Sequence, residues 1–512
     1  MTAWLSTHAA AFAIVLPLLM AAVVAVLPNV RRLAWMVALA VAVVVALSAY
    51  VVFQVQVDLG AFLYRMGGWE PPYGISLRLD AVNAPILLLI ASMAVFSLVY
   101  AEPAVDAEVQ RKKRAPFYAA FLLCVAGLMG MVVTGDAFNV FVFLEVSSIS
   151  TYTLVAMGAN RDRRALSAAF NYLILGSIGA TFFVIGVGFL YAETGTLNME
   201  DMRRILANLD GGSRVAQVAF GFIVVGLGLK LALFPLHTWL PGAYAYSPTV
   251  VTAFLASTAT KAALYLLYRF SFTVFDPSFD YVAVVLTYII TGLAVTGMIF
   301  ASLQAFFQTD ARRTLAFSSV AQVGYMLLGI GILTTAGLAG SYLHLINHAV
   351  VKGGLFLALG AMWYRFGITR ISDMAGLAKT MPVTTAAFTV LAFSLIGVPF
   401  TAGFVSKVAL AEAAAEKDWW WAVAVIMVTS ILALFYMGRM MMVAYFNPPP
   451  ASCLREDGTI RRREAPALML VPMVSLAVAS ILIGLRGNVF LTEVSENAAR
   501  VLMPLSTGGA GL

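Results

Sequence analysis

His344, His348 and Lys352 follow one another at intervals of four inside the apolar stretch "HLINHAVVKGG". On a helix each interval is about 400° of rotation, so the three share one face and climb it over about 12 Å. Two imidazoles that titrate near neutral pH, followed by an amine, form a plausible proton-transfer rail. The same histidines could in principle hold a metal. No Cys, Asp or Glu stands in the segment to complete such a set, and the neighbouring ammonium opposes a cation, so no metal is expected.

Other ionisable groups lie equally deep in apolar sequence: Lys230, Lys261 and Lys407, and one acid, Glu145 in "NVFVFLEVSSIS". Each costs roughly 2.5–3.5 kcal/mol in the middle of a membrane helix, so such groups are functional candidates by default. All four deep basic residues are lysine, and none is arginine. Lysine can give up its proton when desolvated, whereas arginine stays charged. A structural ion pair explains Glu145 with one lysine and leaves the rest unexplained. Snorkelling requires positions near span ends, and these lie inside. A proton pathway accounts for the whole set. In it Glu145 would hold a lysine protonated and release the proton when the pair opens. His237, beside Lys230 in "GLKLALFPLHTWLPGAY", is a further candidate.

These groups need a scaffold, and the composition says which kind. The chain has 512 residues, 62% hydrophobic and 11% charged, against about 25% charged in soluble domains. Fourteen apolar runs, most about the length of a membrane-spanning helix, lie near 9–27, 33–54, 81–100, 116–134, 137–158, 167–191, 216–236, 248–270, 281–303, 314–333, 340–364, 383–411, 419–445 and 466–486. The expected fold is an all-α polytopic membrane protein of about 14 transmembrane helices. The first run is not preceded by Lys or Arg and does not read as a cleaved signal. With Cys124 and Cys453 alone, no CxxC and no GxGxxG after a strand, neither disulfides, a redox centre nor a bound nucleotide is expected, and no cofactor.

Of the 32 Lys and Arg, 19 fall in alternate loops: Arg31 and Arg32, "RKKR" at 111–114, "NRDRR" at 160–164, Arg312 and Arg313, Arg365, Arg370 and Lys379, and Arg439, Arg455, Arg461, Arg462 and Arg463. The other side holds nine. The positive-inside bias puts the rich loops in the cytoplasm and both termini outside. The net charge of +7 expresses this bias rather than a nucleic-acid footprint.

Two spans carry breakers beside lysines: Lys230 with Pro235 and Pro241, and Gly397, Pro399 and Gly403 before Lys407. Interrupted helices in corresponding halves point to the transport site of a repeat-built transporter. Spans 7 and 12 are five apart, and five is odd, so two five-helix units, spans 4–8 and 9–13, would be inverted. The expected organisation is one transmembrane domain over 1–512. It divides into N-terminal helices (1–115), a first repeat (116–270), a second repeat (281–445), and a last helix and tail (466–512). Nothing acidic in the second unit matches Glu145.

The segments "GDAFNVFVFLEVSSISTYTLVAMG", "GLKLALFPLHTWLPGAYAYSPTVVTAFLASTATKAALYLLYR", "LHLINHAVVKGGLFL" and "GVPFTAGFVSK" occur in the sequence. They resemble the proton-conducting membrane subunits shared by respiratory complex I, membrane-bound hydrogenases and Mrp-type cation/proton antiporters, and they stand in that family's order. The likeness runs from about residue 75 to 445. It implies fourteen helices with inverted five-helix repeats, a helix-5 glutamate paired with a helix-7 lysine, and a polar axis through helices 8 and 11 to a helix-12 lysine. The matching positions are Glu145, Lys230, Lys261, His344, His348, Lys352 and Lys407. Lys407 stands where one class of complex I subunit carries glutamate, and "NYLILGSIGATFFVIGVGFLYAETGTLNM" looks like the D-type subunits of Mrp antiporters, whereas "PLHTWLP" is common in complex I-like subunits. The chain ends 26 residues after its fourteenth span, so the long lateral helix of the distal complex I subunit and the extra helices of the large Mrp subunit are not expected.

The resemblance implies a bacterial or archaeal plasma-membrane protein within a hetero-oligomeric complex. Its partners would be other membrane subunits, its cargo protons, and a monovalent cation would be exchanged for them. No nucleic acid is involved. Three functions stay open: the proton-conducting subunit of a Na⁺ or K⁺/proton antiporter, a pumping subunit of a complex I-like NADH:quinone oxidoreductase or hydrogenase, and a non-conducting assembly scaffold.

Overall fold

The computed structural model describes residues 2–28, 30, 32–209, 213–449, 462–485 and 487–503. Arg31, Cys453, Arg455 and Arg461 lie outside the described residues. The chain is helical almost throughout: α1 (Thr2–Ala25), α2 (Leu33–Leu59), α3 (Ala84–Glu108), α4 (Arg114–Val133), α5 (Ala137–Ala156), α6 (Arg164–Thr194), α7 (Met199–Asn208), α8 (Arg214–Leu231), α9 (Trp239–Tyr246), α10 (Thr249–Arg269), α11 (Asp280–Val284), α12 (Thr291–Phe307), α13 (Ala311–Gly331), α14 (Thr335–Phe366), α15 (Leu377–Thr380), α16 (Pro382–Ile396), α17 (Ala402–Glu416), α18 (Trp420–Phe446), α19 (Ala467–Leu485) and α20 (Gly487–Leu502). A π-helical stretch, Val285–Ile290, joins α11 to α12.

Thirteen helical segments among the described residues are long and apolar enough to cross a membrane. The fourteenth expected span, 383–411, is the pair α16 and α17. Its N-terminal half is the short apolar helix Pro382–Ile396, and the interruption runs from Gly397 to Thr401. Span 7, expected over 216–236, stops earlier, at Leu231. The chain turns through Ala232–Thr238 and resumes as α9. Besides the short helices α9 and α15, three elements have no counterpart among the expected spans. One is a β-hairpin, β1 (Phe62–Arg65) against β2 (Ser76–Leu79), antiparallel with Phe62 opposite Leu79. The others are the amphipathic helices α7 and α20. A hydropathy scan for spans passes over all three, because none is a long apolar run.

The two repeats are inverted. In each, the second helix starts from an aspartate whose side chain accepts the backbone N–H three residues on: Asp136 from Asn139 for α5, and Asp310 from Arg313 for α13. In each, that start pairs with the chain between the third and fourth spans. Ala137 N–H donates to Leu197 O and Met199 N–H to Gly135 O, while Ala311 N–H donates to Thr369 O and Ile371 N–H to Thr309 O. The first pairing lies with the hairpin, since Gly135 N–H donates to Ser76 O. The second lies at the other edge, where Arg312 donates to Ser247 and Thr249. The same construction therefore appears on opposite faces.

Burial follows position in the bundle. α13 and α14 are buried along their candidate spans, and α10 nearly so, whereas α2, α6 and α18 leave much of their apolar surface outward. α14 is the hub, packed by α3, α10, α13, α16, α17, α19 and α20. The outer helices expose apolar surface of the kind that suits lipid, and the three central ones do not.

Candidate functional site

His344, His348 and Lys352 lie on one helix, α14, as their spacing predicts. His344, His348 and Lys352 are each at most 3% exposed, and the two imidazoles stack with centroids 6.2 Å apart and planes 10° off parallel. The facing helix, α13, runs antiparallel and supplies a matching stripe. Lys352 Nζ donates to Leu315 O at 2.8 Å and to Ser318 Oγ. His344 Nε2 meets Gln322 Oε1 at 2.9 Å, and its Nδ1 meets Ser406 Oγ on α17 at 2.9 Å. Between them, neither nitrogen of His348 has a hydrogen-bond partner among the described residues. A buried imidazole free at both nitrogens, flanked by two anchored groups, is the member of the row able to change partners.

Lys261, wholly buried on α10, donates to Ala256 O and Thr260 Oγ1 of its own helix. It lies within electrostatic reach of His344, His348 and Lys352. Lys407, on α17, closes the row. Its ammonium donates to Leu395 O at 3.1 Å, Ile396 O at 2.9 Å and Ser430 Oγ at 3.1 Å, and it sits 4.9 Å over the ring of Tyr325. Tyr325 also stacks on His344, centroids 5.4 Å apart.

Lys230 and Glu145 form a separate pair. Lys230 Nζ is 3.9 Å from Glu145 Oε1 and donates instead to Ser148 Oγ at 2.6 Å. The Glu145 side chain is 26% exposed at the outer wall of the bundle, while Lys230 is 8% exposed. This is an ion pair at the edge of contact, held open by a serine one turn beyond the acid.

The two breaks do the same work by different routes. Lys230 precedes its break and lies in the last turn of α8. Lys407 follows its break, yet its ammonium reaches back to the last carbonyls of α16. In both repeats a lysine charge therefore meets the C-terminal end of the first half-helix, where the peptide dipoles present negative charge. The backbone makes this possible through left-handed residues at the caps, Ala232 at φ 61° and Gly397 at φ 94°. A Cβ on Gly397 would stand 2.9 Å from Lys407 Cδ, so the side chain passes where only glycine leaves room.

His237 does not join the row. It lies in the turn after α8, stacked on Phe234 with centroids 5.1 Å apart and edge-on to Phe317, with its Nδ1 buried and without a hydrogen-bond partner among the described residues. Ser148, Ser318, Gln322, Tyr325, Ser406 and Ser430 are neutral, so no insertion cost marks them in the sequence. Of these, Ser318, Gln322 and Tyr325 do carry a legible signal, since spacings of four and three on an otherwise apolar run mark one helix face.

Charge clusters fix both ends of α10, and nothing in the local sequence announces them. At the hairpin end, Arg269 donates to both oxygens of Asp80, at 2.8 and 2.9 Å. At the other end, Glu108 accepts from Arg161 at 2.9 Å and from the backbone N–H of Thr249. Among the described residues no group of three or more His, Cys, Asp or Glu is placed to hold a metal ion.

Comparison with known proteins agrees with this architecture. Residues 134–433 match the family described as NADH:quinone oxidoreductase/Mrp antiporter, transmembrane. The chain is 40% identical over 447 residues to the N-type subunit of the NADH-quinone oxidoreductase of Desulforudis audaxviator, covering 86% of this chain and 88% of that one. It is 34% identical over 357 residues to the D-type subunit of the Na(+)/H(+) antiporter of Alkalihalophilus pseudofirmus, covering 69% and 70%. Its fold superposes on a chain of the Mrp complex from Dietzia sp. DQ12-45-1b with a TM-score of 0.88, at 28% identity and 98% coverage of each. With the family match spanning more than half its length, the chain belongs to the NADH:quinone oxidoreductase/Mrp antiporter transmembrane family.

Proposed function

We propose that this protein is the proton-conducting subunit of a multi-subunit monovalent cation/proton antiporter of the Mrp type. The observation that carries the reading is the row Lys261, His344, His348, Lys352 and Lys407. These five titratable groups lie in the lipid-free centre of the bundle, more than any ion pairing requires, and all but His348 are anchored by neutral oxygens. Protons would reach Lys230 and Lys261, pass along α14 by way of the unanchored His348, and leave from Lys407. Opening the Glu145–Lys230 pair would gate the path, because the acid is what favours the charged amine, and its exposed edge would sense a neighbouring subunit. The basic loops would face the cytoplasm and both termini the outside. Proton influx would drive Na⁺ or K⁺ outward elsewhere in the complex.

A second reading has its own support. The relative that shares 40% identity over most of the chain is named as a subunit of an NADH-quinone oxidoreductase. In that reading the same row carries protons outward, driven by redox chemistry in other subunits. The deciding experiment is gentle purification of the tagged native complex, with assay of iron and flavin and identification of co-purifying chains. Several small membrane subunits without iron or flavin are expected for the antiporter. Stoichiometric iron and flavin with hydrophilic subunits would overturn it in favour of the redox pump.

A further inference from the structure

A cavity of about 450 Å³ opens at the basic edge of the bundle, where the first repeat meets the second. Five arginines line it: Arg161, Arg164, Arg312, Arg313 and Arg370. The carboxylates around them are fewer and largely engaged. Glu108 holds Arg161 and Asp162 holds Arg164 at 2.6 Å. Asp310 accepts the Arg313 backbone N–H, and Asp373 the Arg370 backbone N–H. Arg312, 6% exposed, donates only to neutral oxygens of Ser247 and Thr249. Arg313 and Arg370 make no ion pair among the described residues, and Arg313 Nε is buried without a hydrogen-bond partner. The cavity thus has more guanidinium than its own acids neutralise, and an N–H donor with nothing to meet.

Its surroundings say what kind of anion would suit it. Tyr246 and Trp363 stand in the wall, each carrying an arginine over its ring, Arg164 at 4.5 Å and Arg161 at 5.2 Å. Aromatic rings beside arginines are the usual furniture of a membrane–water interface. The chain that leaves the cavity turns at once into lipid-facing surface: Leu166 and Phe170 on α6, and Phe307 on α12, are 50%, 61% and 73% exposed. A free anion has no use for such a rim, whereas an acyl chain does. Basic pockets between helices on the cytoplasmic side suit phospholipid headgroups, and guanidinium forks match phosphate oxygens two at a time.

We propose that this cavity binds a phosphate-bearing anion, the headgroup of an anionic membrane phospholipid, which joins the two repeats at their basic edge. Arg164 comes from the first repeat, and Arg312 and Arg313 from the second, so one headgroup would neutralise charges that otherwise push the repeats apart.

The test compares the purified native complex with two variants of this subunit. Arg313→Gln/Arg370→Gln removes the unpaired charge. Thr309→Trp fills the cavity and keeps every charge, so a result that merely reflects altered surface charge is separated from loss of the site. Phospholipid retained per subunit is measured by mass spectrometry, and the unfolding temperature is followed in phosphatidylcholine vesicles with and without phosphatidylglycerol. The expected result is anionic phospholipid retained by wild type and reduced about tenfold in both variants, with thermal protection by phosphatidylglycerol in wild type alone. Equal retention in all three proteins would overturn the site. Equal protection by inorganic phosphate would overturn the lipid as its source. Cross-linking of Arg313 to an acidic segment of a co-purifying subunit would replace the lipid with a protein partner.

Discussion

At the scale of single residues, the site separates groups that are anchored from groups that are free to change partners. Lys352 and Lys407 are held by carbonyls and serine hydroxyls, and His344 by Gln322 and Ser406. His348 is held by nothing polar among the described residues. His348→Leu removes the member of the row that has no hydrogen-bond partner among the described residues and is expected to stop transport, while the apolar replacement leaves the buried packing sound enough for assembly. Proton flux in reconstituted vesicles reads the first effect and subunit co-purification the second. Lys230→Ala and Glu145→Ala are each expected to lower transport by about a hundredfold or more with assembly intact; near-normal flux in both would remove the pair from the mechanism. Tyr325 offers a finer test. Phenylalanine keeps the π-face over which the Lys407 ammonium sits, whereas leucine forfeits a contact of about 0.5–2 kcal/mol. Tyr325→Phe should therefore transport better than Tyr325→Leu.

At the scale of elements, the breaks are the devices that bring helix ends to the buried lysines. Gly397→Val asks a branched side chain to adopt a left-handed φ and to occupy the path of Lys407. The expected outcome is loss of transport with α16 and α17 still formed, seen as unchanged helical circular dichroism beside abolished flux. The hairpin is fastened to α10 by Asp80 and Arg269. Burial alone would raise the Asp80 carboxyl, but Arg269, with Arg78 near it, outweighs this and holds it down from 3.8 to about 2. A carboxyl whose folded value is depressed stabilises the fold above its unfolded value and loses that contribution as pH falls toward the folded one. The link should accordingly weaken between about pH 4 and pH 2, and Asp80→Asn should abolish this pH dependence. Breaking a buried pair from one side costs about 3–5 kcal/mol, so Asp80→Asn is also expected to lower the thermal midpoint of the purified protein at neutral pH.

At the scale of the whole molecule, the arrangement is a lipid-facing shell around a charged centre. The outer helices α2, α6 and α18 meet acyl chains with apolar surface, and α10, α13 and α14 keep their charges away from them. Each of the inverted repeats carries one lysine-bearing break, Ala232–Thr238 in the first and Gly397–Thr401 in the second. The proposed orientation, with both termini outside, rests on the basic loops and has a direct test: alkaline phosphatase fused to the C-terminus should be active, since it folds only outside the cytoplasm. An inactive fusion there, with activity when fused between α18 and α19, would reverse the assignment.

The sequence by itself determined the class of fold, the spans and the ionisable groups worth testing. The reason is energetic: hydrocarbon tolerates only long apolar helices, and a charge inside one is too costly to be incidental. It also determined that His344, His348 and Lys352 share one face of α14, because helical periodicity fixes which side chains line up. The inversion was legible from spacing alone, from two breaks an odd number of spans apart. Only the tertiary structure decided which groups meet. Lys230 and Lys407 lie on opposite sides of their breaks in sequence, and only the folded breaks show both charges at the end of a half-helix. Ser318, Gln322 and Tyr325 acquire meaning from α13 lying antiparallel to α14. Asp80 finds Arg269 across 189 residues, and Asp136 and Asp310 reveal themselves as equivalent only through the backbone pairs they begin. Local sequence fixes direction along a helix, whereas contact between helices depends on how distant segments pack, which no window of residues contains.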